Sequence, residues 1–249
     1  MFLNTLKKYN NLLVYTSFLF LISSCTIDDG HLIDRRIELD SFDKIIVYEG
    51  IKLVIHNSET PYAIVKSNEN RIEDTTFNII DNTLHIKGRE TNLFTASYTP
   101  VEVHLYTPTL TEIRQSGNYT IHSEEPLEFP VLFLISENYN GDYINVGDFN
   151  LTINNDFLMV ASNGVSNIII EGHTKSLELN YYSGTGIFDG KALTAETVTV
   201  FHRGANTLKV FPLDVLKGNI YSVGNLEAYN RPNYEEVTQH YTGRLIYKD

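Results

Sequence analysis

The C-terminal half of the chain carries glycine at a nearly constant spacing. Seven glycines follow one another at intervals of 24, 23, 20, 20, 20 and 19 residues: Gly117, Gly141, Gly164, Gly184, Gly204, Gly224 and Gly243. The residue four positions after each glycine is apolar in every case but one, and these residues are Ile121, Asn145, Ile168, Phe188, Leu208, Ala228 and Tyr247. Asn145 lies between Ile144 and Val146, so a one-residue slip would restore the pattern. A recurring glycine with a recurring apolar neighbour indicates one structural unit stacked on copies of itself.

The rest of the chain alternates between apolar and polar residues. Segments 83–87 and 101–105 show this period of two, which is typical of half-buried strands. Helical periodicity is limited to at most one turn between residues 59 and 74. The sequence therefore predicts an all-β chain.

The twenty-residue period favours one β architecture over another. A coil of that length holds two or three short strands joined by tight corners, with glycine at each corner because it accepts a positive φ. The predicted fold is a single-stranded parallel β-helix, or β-solenoid, with coils of about 20 residues. The alternative is an antiparallel β-sandwich or meander, in which one period would contain two strands and two turns.

The N-terminus resembles a lipoprotein export signal. Lys7 and Lys8 precede an apolar run over 12–22, and small residues lead to Cys25, the chain's single cysteine. The predicted organisation is a signal peptide over 1–24, an acylated Cys25 with a flexible tether over 25–36, and one domain over 37–249 that carries the repeat ladder over 109–249. A plain secretory signal with an incidental cysteine is the alternative.

Lipidation at Cys25 would anchor the protein to a membrane without spanning it. Residues 26–30 contain an acidic pair that resembles the surface-export signals of Bacteroidetes-type lipoproteins, although two acids in a tether are also common by chance. The predicted location is the outer membrane, with surface exposure left open.

Net charge argues against one class of partner. The full chain has a formal charge of −12, and removal of residues 1–24 discards two lysines and no acids, which leaves −14. Such an acidic balance disfavours nucleic-acid binding. Oligomeric state is not predicted.

Several segments together resemble a known family. The run over 42–55 (FDKIIVYEGIKLVI), the run over 82–88 (NTLHIKG), the run over 108–113 (PTLTEI) and the units at 183–186 and 222–226 follow the order of strands in the head GIN domain family of auto-transporter adhesins. The similarity covers about residues 37–248. Membership implies a β-helical, surface-exposed lipoprotein with an adhesin role. The wider spacing near Gly141, and Arg203 in place of a small residue, depart from the family pattern.

The sequence contains no constellation typical of catalysis or metal binding. Its eight histidines lack the spacing of a helical or knuckle-type metal site, and the one cysteine is assigned to lipid. We therefore predict no cofactor, no metal and no enzymatic activity. The alternative is a carbohydrate-active enzyme, a polysaccharide lyase or hydrolase, whose charged residues would have to converge on one face of the β-helix.

Tyrosine is abundant, with sixteen residues and no tryptophan. The density in the repeat region predicts an aromatic binding face for a glycan or protein ligand, represented by Tyr181, Tyr182 and Tyr241. Ordinary strand packing of tyrosine is the alternative. Asp74-Thr75-Thr76 resembles an O-glycosylation sequon of exported Bacteroidetes proteins, which makes Thr75 a candidate acceptor.

Overall fold

The structure is a computed structural model that describes residues 31–88, 100–139 and 141–248. The predicted signal peptide and Cys25 lie outside these residues. The described chain is all-β apart from one short helix, α1, over Glu69–Glu73. The first strand already begins at Leu32, so residues 32–36 belong to the sheet and not to the predicted tether.

The strands form one hydrogen-bonded sheet that folds over on itself. We call the two layers the front sheet and the back sheet. Six strands lie in the front sheet alone: β2 (Lys44–Tyr48), β5 (Thr76–Ile80), β6 (Thr83–Lys87), β8 (Glu112–Ser116), β10 (Val131–Ser136) and β16 (Tyr234–Gln239). Seven lie in the back sheet alone: β1 (Leu32–Glu38), β3 (Ile51–Asn57), β4 (Tyr62–Asn68), β7 (Val101–Thr107), β9 (Ile121–Ser123), β15 (Leu226–Ala228) and β17 (Leu245–Tyr247). Four long strands run through both: β11 (Phe149–Ser162), β12 (Asn167–Tyr181), β13 (Ile187–His202) and β14 (Leu208–Ile220).

Successive long strands pair in parallel. Their N-terminal halves lie in the back sheet after β9, and their C-terminal halves lie in the front sheet after β10. Antiparallel pairing is confined to the N-terminal part of the described chain, between β1 and β4, β4 and β7, and β5 and β6. The antiparallel meander is therefore not the arrangement of the repeat region.

The register explains the period in the sequence. Residues at the start of each back-sheet segment stack in one column with offsets of 19, 20, 20, 18 and 19 residues: Phe149, Ile168, Phe188, Leu208, Leu226 and Leu245. The first five are fully buried in the core shared by the two sheets. Stacking like on like buries one continuous apolar core, which is how a repeat of this kind is stabilised. Phe149, and not Asn145, pairs with Ile121, so the break at Asn145 is larger than a one-residue slip.

The regularly spaced glycines of the repeat, apart from Gly141, lie in the turns that link a front-sheet strand to the next back-sheet strand. At Gly184, φ is +86° and an added Cβ would overlap the carbonyl oxygen of Gly164 in the previous turn. Gly117, Gly164, Gly224 and Gly243 have no positive φ, but an added Cβ would overlap a backbone oxygen, so close backbone approach selects glycine there. At Gly204 the nearest atoms to an added Cβ belong to the His202 side chain.

Gly141 was predicted as a corner and is not one. It lies in an exposed loop, where an added Cβ would have no atom within 4 Å. Gly147 takes its place, because its amide donates to the carbonyl oxygen of Gly117 at 3.1 Å. The even spacing of Gly141 is therefore a coincidence.

Candidate functional site

One turn of the repeat is much longer than the others. The segment between β10 and β11 runs over 137–148, twelve residues, whereas later turns at 163–166, 182–186 and 203–207 have four or five. This is where the glycine spacing widens. Long loops on a rigid scaffold are the usual carriers of binding sites.

Asparagine side chains hold this loop in one shape. Asn138 Oδ1 accepts a hydrogen bond from the Gly141 amide at 2.6 Å, and Asn138 Nδ2 donates to the carbonyl oxygen of Tyr143. Asn163, from the next turn, donates to the Asn138 carbonyl at 3.1 Å and accepts from the Asn138 amide at 2.9 Å. The φ of Gly141, +81°, completes the bend. The loop is therefore pre-organised without a ligand.

The loop and strand β8 enclose a small open cleft. Its lining residues are Arg114, Glu137, Tyr139, Asp142 and Tyr143, and its volume is about 170 Å³. The Arg114 guanidinium lies 4.9 Å from the centre of the Tyr143 ring, and Arg114 Nη1 donates to the Glu137 carbonyl at 3.3 Å. Pockets for drug-sized ligands measure about 300–1,000 Å³. This cleft therefore has room for one small ring.

A row of aromatic rings leads away from the cleft across the front sheet. We call it the aromatic ladder, and its members are Tyr139, Tyr182, Phe201, Tyr221 and His240. Successive ring centres are 6.2, 5.7, 5.0 and 4.3 Å apart, and the last two rings are stacked at 8°. The row is one ring wide and no more than about 21 Å long.

Two phenols of the ladder, Tyr139 and Tyr182, have a raised pKa and are hydrogen-bond donors at neutral pH. Burial, and then the Glu137 carboxylate, raises the pKa of Tyr139 and of Tyr182 above the usual value. A protonated phenol beside an apolar ring face suits a ligand that has both apolar and hydroxyl-bearing surfaces.

The structure separates the three predicted binding tyrosines. Tyr182 belongs to the ladder, and Tyr241 is 62% exposed in the last turn but makes no ring contact with the ladder. Tyr181 is fully buried and donates its hydroxyl to the Ile187 carbonyl at 3.0 Å, so its assignment to a surface is wrong. Neighbouring residues in a strand face opposite sides, so only one of the pair could be outside.

Sequence reasoning missed two members of the ladder, Phe201 and His240, because it considered tyrosines alone; Tyr139 and Tyr221 belong to the tyrosine-rich region but were not chosen as its representatives. A usable signal existed, because Tyr182, Phe201, Tyr221 and His240 recur at intervals of 19, 20 and 19 residues, two or three positions before the ladder glycines. The repeat that stacks glycine inside the turn also stacks rings outside it.

A second cluster lies on the back sheet. His56 Nε2 and His104 Nδ1 are 3.0 Å apart. The other ring nitrogen of His104, Nε2, is 2.9 Å from Glu102 Oε1. The second carboxylate oxygen of Glu102, Oε2, accepts a hydrogen bond from Lys52 Nζ at 2.9 Å. The far nitrogen of His56 faces Glu125 Oε1 at 3.7 Å. The cluster is a chain of charged and imidazole groups that ends in a carboxylate at each side of the histidine pair.

The histidine pair shares a proton and is not arranged for a metal. The two rings are tilted by only 12° with centres 5.3 Å apart, which is the in-line geometry of an imidazole-to-imidazole hydrogen bond. In this bond the N–H of one ring points at the lone pair of the other, so these two nitrogens are not both directed at a common ion. Burial, and then His104, lowers the pKa of His56. Within the described residues, no group of three or more His, Cys, Asp or Glu side chains could hold a metal ion.

The other charged candidates do not converge. Asp189 pairs with Lys209 at 3.0 Å, Asp156 pairs with Lys175 at 2.6 Å, and Asp148 accepts from the Asn167 amide at 2.7 Å. Glu137 and Asp142 line the cleft described above, together with Arg114.

Thr75 is 8% exposed, and its hydroxyl donates to the Arg71 carbonyl at 2.8 Å. The folded chain therefore does not present this hydroxyl for glycosylation.

The fold and site together define a class: a repeat-built all-β scaffold with a pre-organised surface cleft and an aromatic row. A family model described as "Putative auto-transporter adhesin, head GIN domain" matches residues 41–232. The chain belongs to this head GIN domain family, and the resemblance seen in the sequence is confirmed.

Solved structures share the fold. A putative adhesin from Bacteroides fragilis superposes with a TM-score of 0.76 at 18% identity, over 88% of this chain and 97% of that one. A putative adhesin from Parabacteroides merdae superposes with a TM-score of 0.58 at 21% identity, over 88% of this chain and 97% of that one. A protein described as a putative lipid binding protein from Parabacteroides distasonis superposes with a TM-score of 0.59 at 14% identity, over 87% of this chain and 97% of that one. At these identities the likeness concerns the fold alone. No curated protein matches the chain.

None of the helices in the described part of the chain is long and apolar enough to cross a membrane.

Proposed function

We propose that this protein is an exported, adhesin-like lipoprotein that binds glycan chains along the aromatic ladder. Acylated Cys25 would anchor it at the outer membrane, and the repeat region would act as a β-solenoid that displays the ladder. The parallel registers with offsets of 18–20 residues support the solenoid, and the signal-like N-terminus supports the anchor.

The observation that carries the proposal is the shape of the ladder. A stable protein partner usually needs about 800 Å² of surface on each side. A strip one ring wide and about 21 Å long is far smaller. It suits a linear polymer whose sugar rings each present an apolar face to an aromatic ring. The polar edges of the strip, including Asn219, which contacts His240 Nε2 at 2.9 Å, can then meet the hydroxyls.

Alanine substitutions in the ladder test this function. Phe201→Ala and Tyr221→Ala each remove one of the three inner rings of the ladder. Tyr234→Ala is the matched control, because Tyr234 is 52% exposed on the front sheet but has no ring contact with the ladder. The wild-type protein and each variant are applied to a glycan array and to immobilised host-matrix proteins.

Each ladder variant is expected to lose glycan binding by about tenfold, whereas the control binds like wild type. Binding to a protein but not to any glycan would overturn the ligand class. Equal binding by all variants would overturn the site.

The cleft supports a second candidate function. Glu137 and Asp142 both line it, and paired carboxylates are the machinery of glycoside hydrolysis. Incubation of the wild-type protein with each glycan that it binds, followed by measurement of new reducing ends, tests this function. Release of sugar that is abolished in Asp142→Asn would establish an enzyme, and intact glycan would leave binding alone.

A further inference from the structure

We propose that the cleft is an end subsite, which binds one uncharged terminal sugar ring of a glycan whose following rings lie on the ladder. This inference rests on the proposed function and adds the ligand's end and its chemistry. The volume of about 170 Å³ is below that of drug-sized pockets and corresponds to a single ring.

The cleft lies at one end of the ladder. Tyr139 lines the cleft and is the first ring of the ladder, 6.2 Å from Tyr182. Beside Tyr139 in the cleft, the Arg114 guanidinium lies 4.9 Å from the centre of the Tyr143 ring. A glycan whose terminal ring lies in the cleft would place its following rings on the ladder.

The polar groups of the cleft suit adjacent hydroxyls. Glu137 and Asp142 offer carboxylate acceptors, and the Arg114 guanidinium, which also pairs with Glu112 and Glu137, carries five N–H donors. A carboxylate can accept two hydrogen bonds at once, which matches two neighbouring hydroxyls on a ring. Tyr139 and Tyr143 supply aromatic surface for the apolar face of the same ring.

The charges of the cleft disfavour an anionic ligand. Two carboxylates stand against one guanidinium, and Arg114 is already occupied by Glu112 at 3.7 Å and by Glu137 at 4.0 Å. A phosphate, sulfate or uronate would therefore meet unbalanced negative charge. An uncharged sugar avoids this repulsion.

The pre-organised loop explains how so few groups could suffice. The bonds between Asn138 and Asn163 tie the residue next to Tyr139 to the following turn. The same bonds make Asp142 a safe position for substitution, because its side chain is exposed and takes no part in them.

The test compares free sugar ends with blocked ones. The probes are neutral monosaccharides, neutral oligosaccharides with free non-reducing ends, and the same oligosaccharides with the terminal ring O-methylated; uronate-terminated oligosaccharides form a fourth arm. Calorimetry measures the affinity of wild type, Asp142→Asn, Arg114→Gln and Tyr221→Ala. Asp214→Asn is the matched control, because Asp214 is an exposed acid at the opposite end of the strand region.

We expect wild type to prefer the free-ended oligosaccharide over the methylated one by about tenfold, and we expect Asp142→Asn and Arg114→Gln to abolish that preference. Tyr221→Ala should lower the affinity for oligosaccharides but leave the affinity for monosaccharides unchanged. The control should behave as wild type.

The failures are distinguishable. If Asp142→Asn keeps the end preference, or if uronate-terminated chains bind best, the end subsite is wrong while glycan binding by the ladder stands. If no variant changes affinity for any probe, or if wild type binds none of them, the proposed function fails as well.

Discussion

A buried histidine gives the sharpest stability prediction. His202 is fully buried at the end of β13, and neither Nδ1 nor Nε2 has a hydrogen-bond partner. Burial lowers the pKa of His202 to about 4, and backbone groups of Asn206 and Asn225 oppose the shift without forming a full hydrogen bond. We predict that His202→Leu stabilises the protein, and more so in acid. The next residue in the same inward column is Ile220, so an aliphatic side chain fits this position.

The magnitude follows from two contributions. At pH 7, the substitution removes buried polar atoms that lack partners, and each such group costs about 1–3 kcal/mol. In acid, the unfolded chain binds a proton at His202 near pH 6.5, whereas the folded chain does not bind one until about pH 4. The folded state therefore loses stability as the pH falls through this window, by about 2.5 kcal/mol at pH 4.5. His202→Leu has no imidazole at this position, so its free energy of unfolding does not fall for this reason in acid.

Urea unfolding at pH 7 and pH 4.5 measures both contributions. His202→Leu should have the higher free energy of unfolding at pH 7, and its advantage over wild type should grow by about 2.5 kcal/mol at pH 4.5, with the m-value unchanged. His240→Gln is the matched control, because His240 is an exposed histidine, whereas His202 is fully buried. A variant that is less stable at pH 7, or an advantage that does not grow in acid, would refute the reasoning.

Two further predictions follow from the turns and from the back sheet. Gly184→Ala places a Cβ against the Gly164 carbonyl at positive φ and should cost more than 2 kcal/mol, whereas Gly141→Ala, at a similar φ but in open space, should cost about 1 kcal/mol; equal losses in thermal unfolding would contradict the close-approach argument. Burial is the first cause and His104 the second cause of the lowered pKa of His56, so His104→Leu should raise that pKa toward the ordinary value. Imidazole NMR titration checks this, with His85→Gln as the control, and an unchanged His56 would show that burial alone acts.

The repeat could be predicted from sequence because it is written in local periodicity. Column residues such as Phe188 and Leu208 recur at the interval that the register imposes. The side on which a tyrosine falls could also have been deduced. Leu177 and Leu179 are buried, so the alternation of β12 places Tyr181 inside and Tyr182 outside.

The cleft could not be predicted in the same way. Its loop is shaped by hydrogen bonds between Asn138 and Asn163, which lie in different turns and belong to no recognisable motif. Nor does the spacing of Gly141 distinguish a corner from a loop, because Gly147 occupies the corner instead. The one sequence signal for the cleft was the wider glycine spacing around Gly141. The candidate site lies where the repeat is least regular.

The C-terminal end of the described sheets places a charged side chain at the end of an apolar column. The inward column Leu132, Leu158, Leu177, Val198 and Leu216 ends in Glu235. The Glu235 carboxylate accepts from the Tyr247 hydroxyl at 2.8 Å, and Arg231 lies 4.2 Å over the Tyr247 ring. Burial and this hydrogen bond raise the pKa of Tyr247 to about 12.

A further strand added to this end would have to bury the Glu235 carboxylate, which is costly and is a common device against edge-to-edge association. At the N-terminal side, β1 pairs with β4 and β5 pairs with β6, both antiparallel, so the parallel stack ends there in strands of the opposite direction.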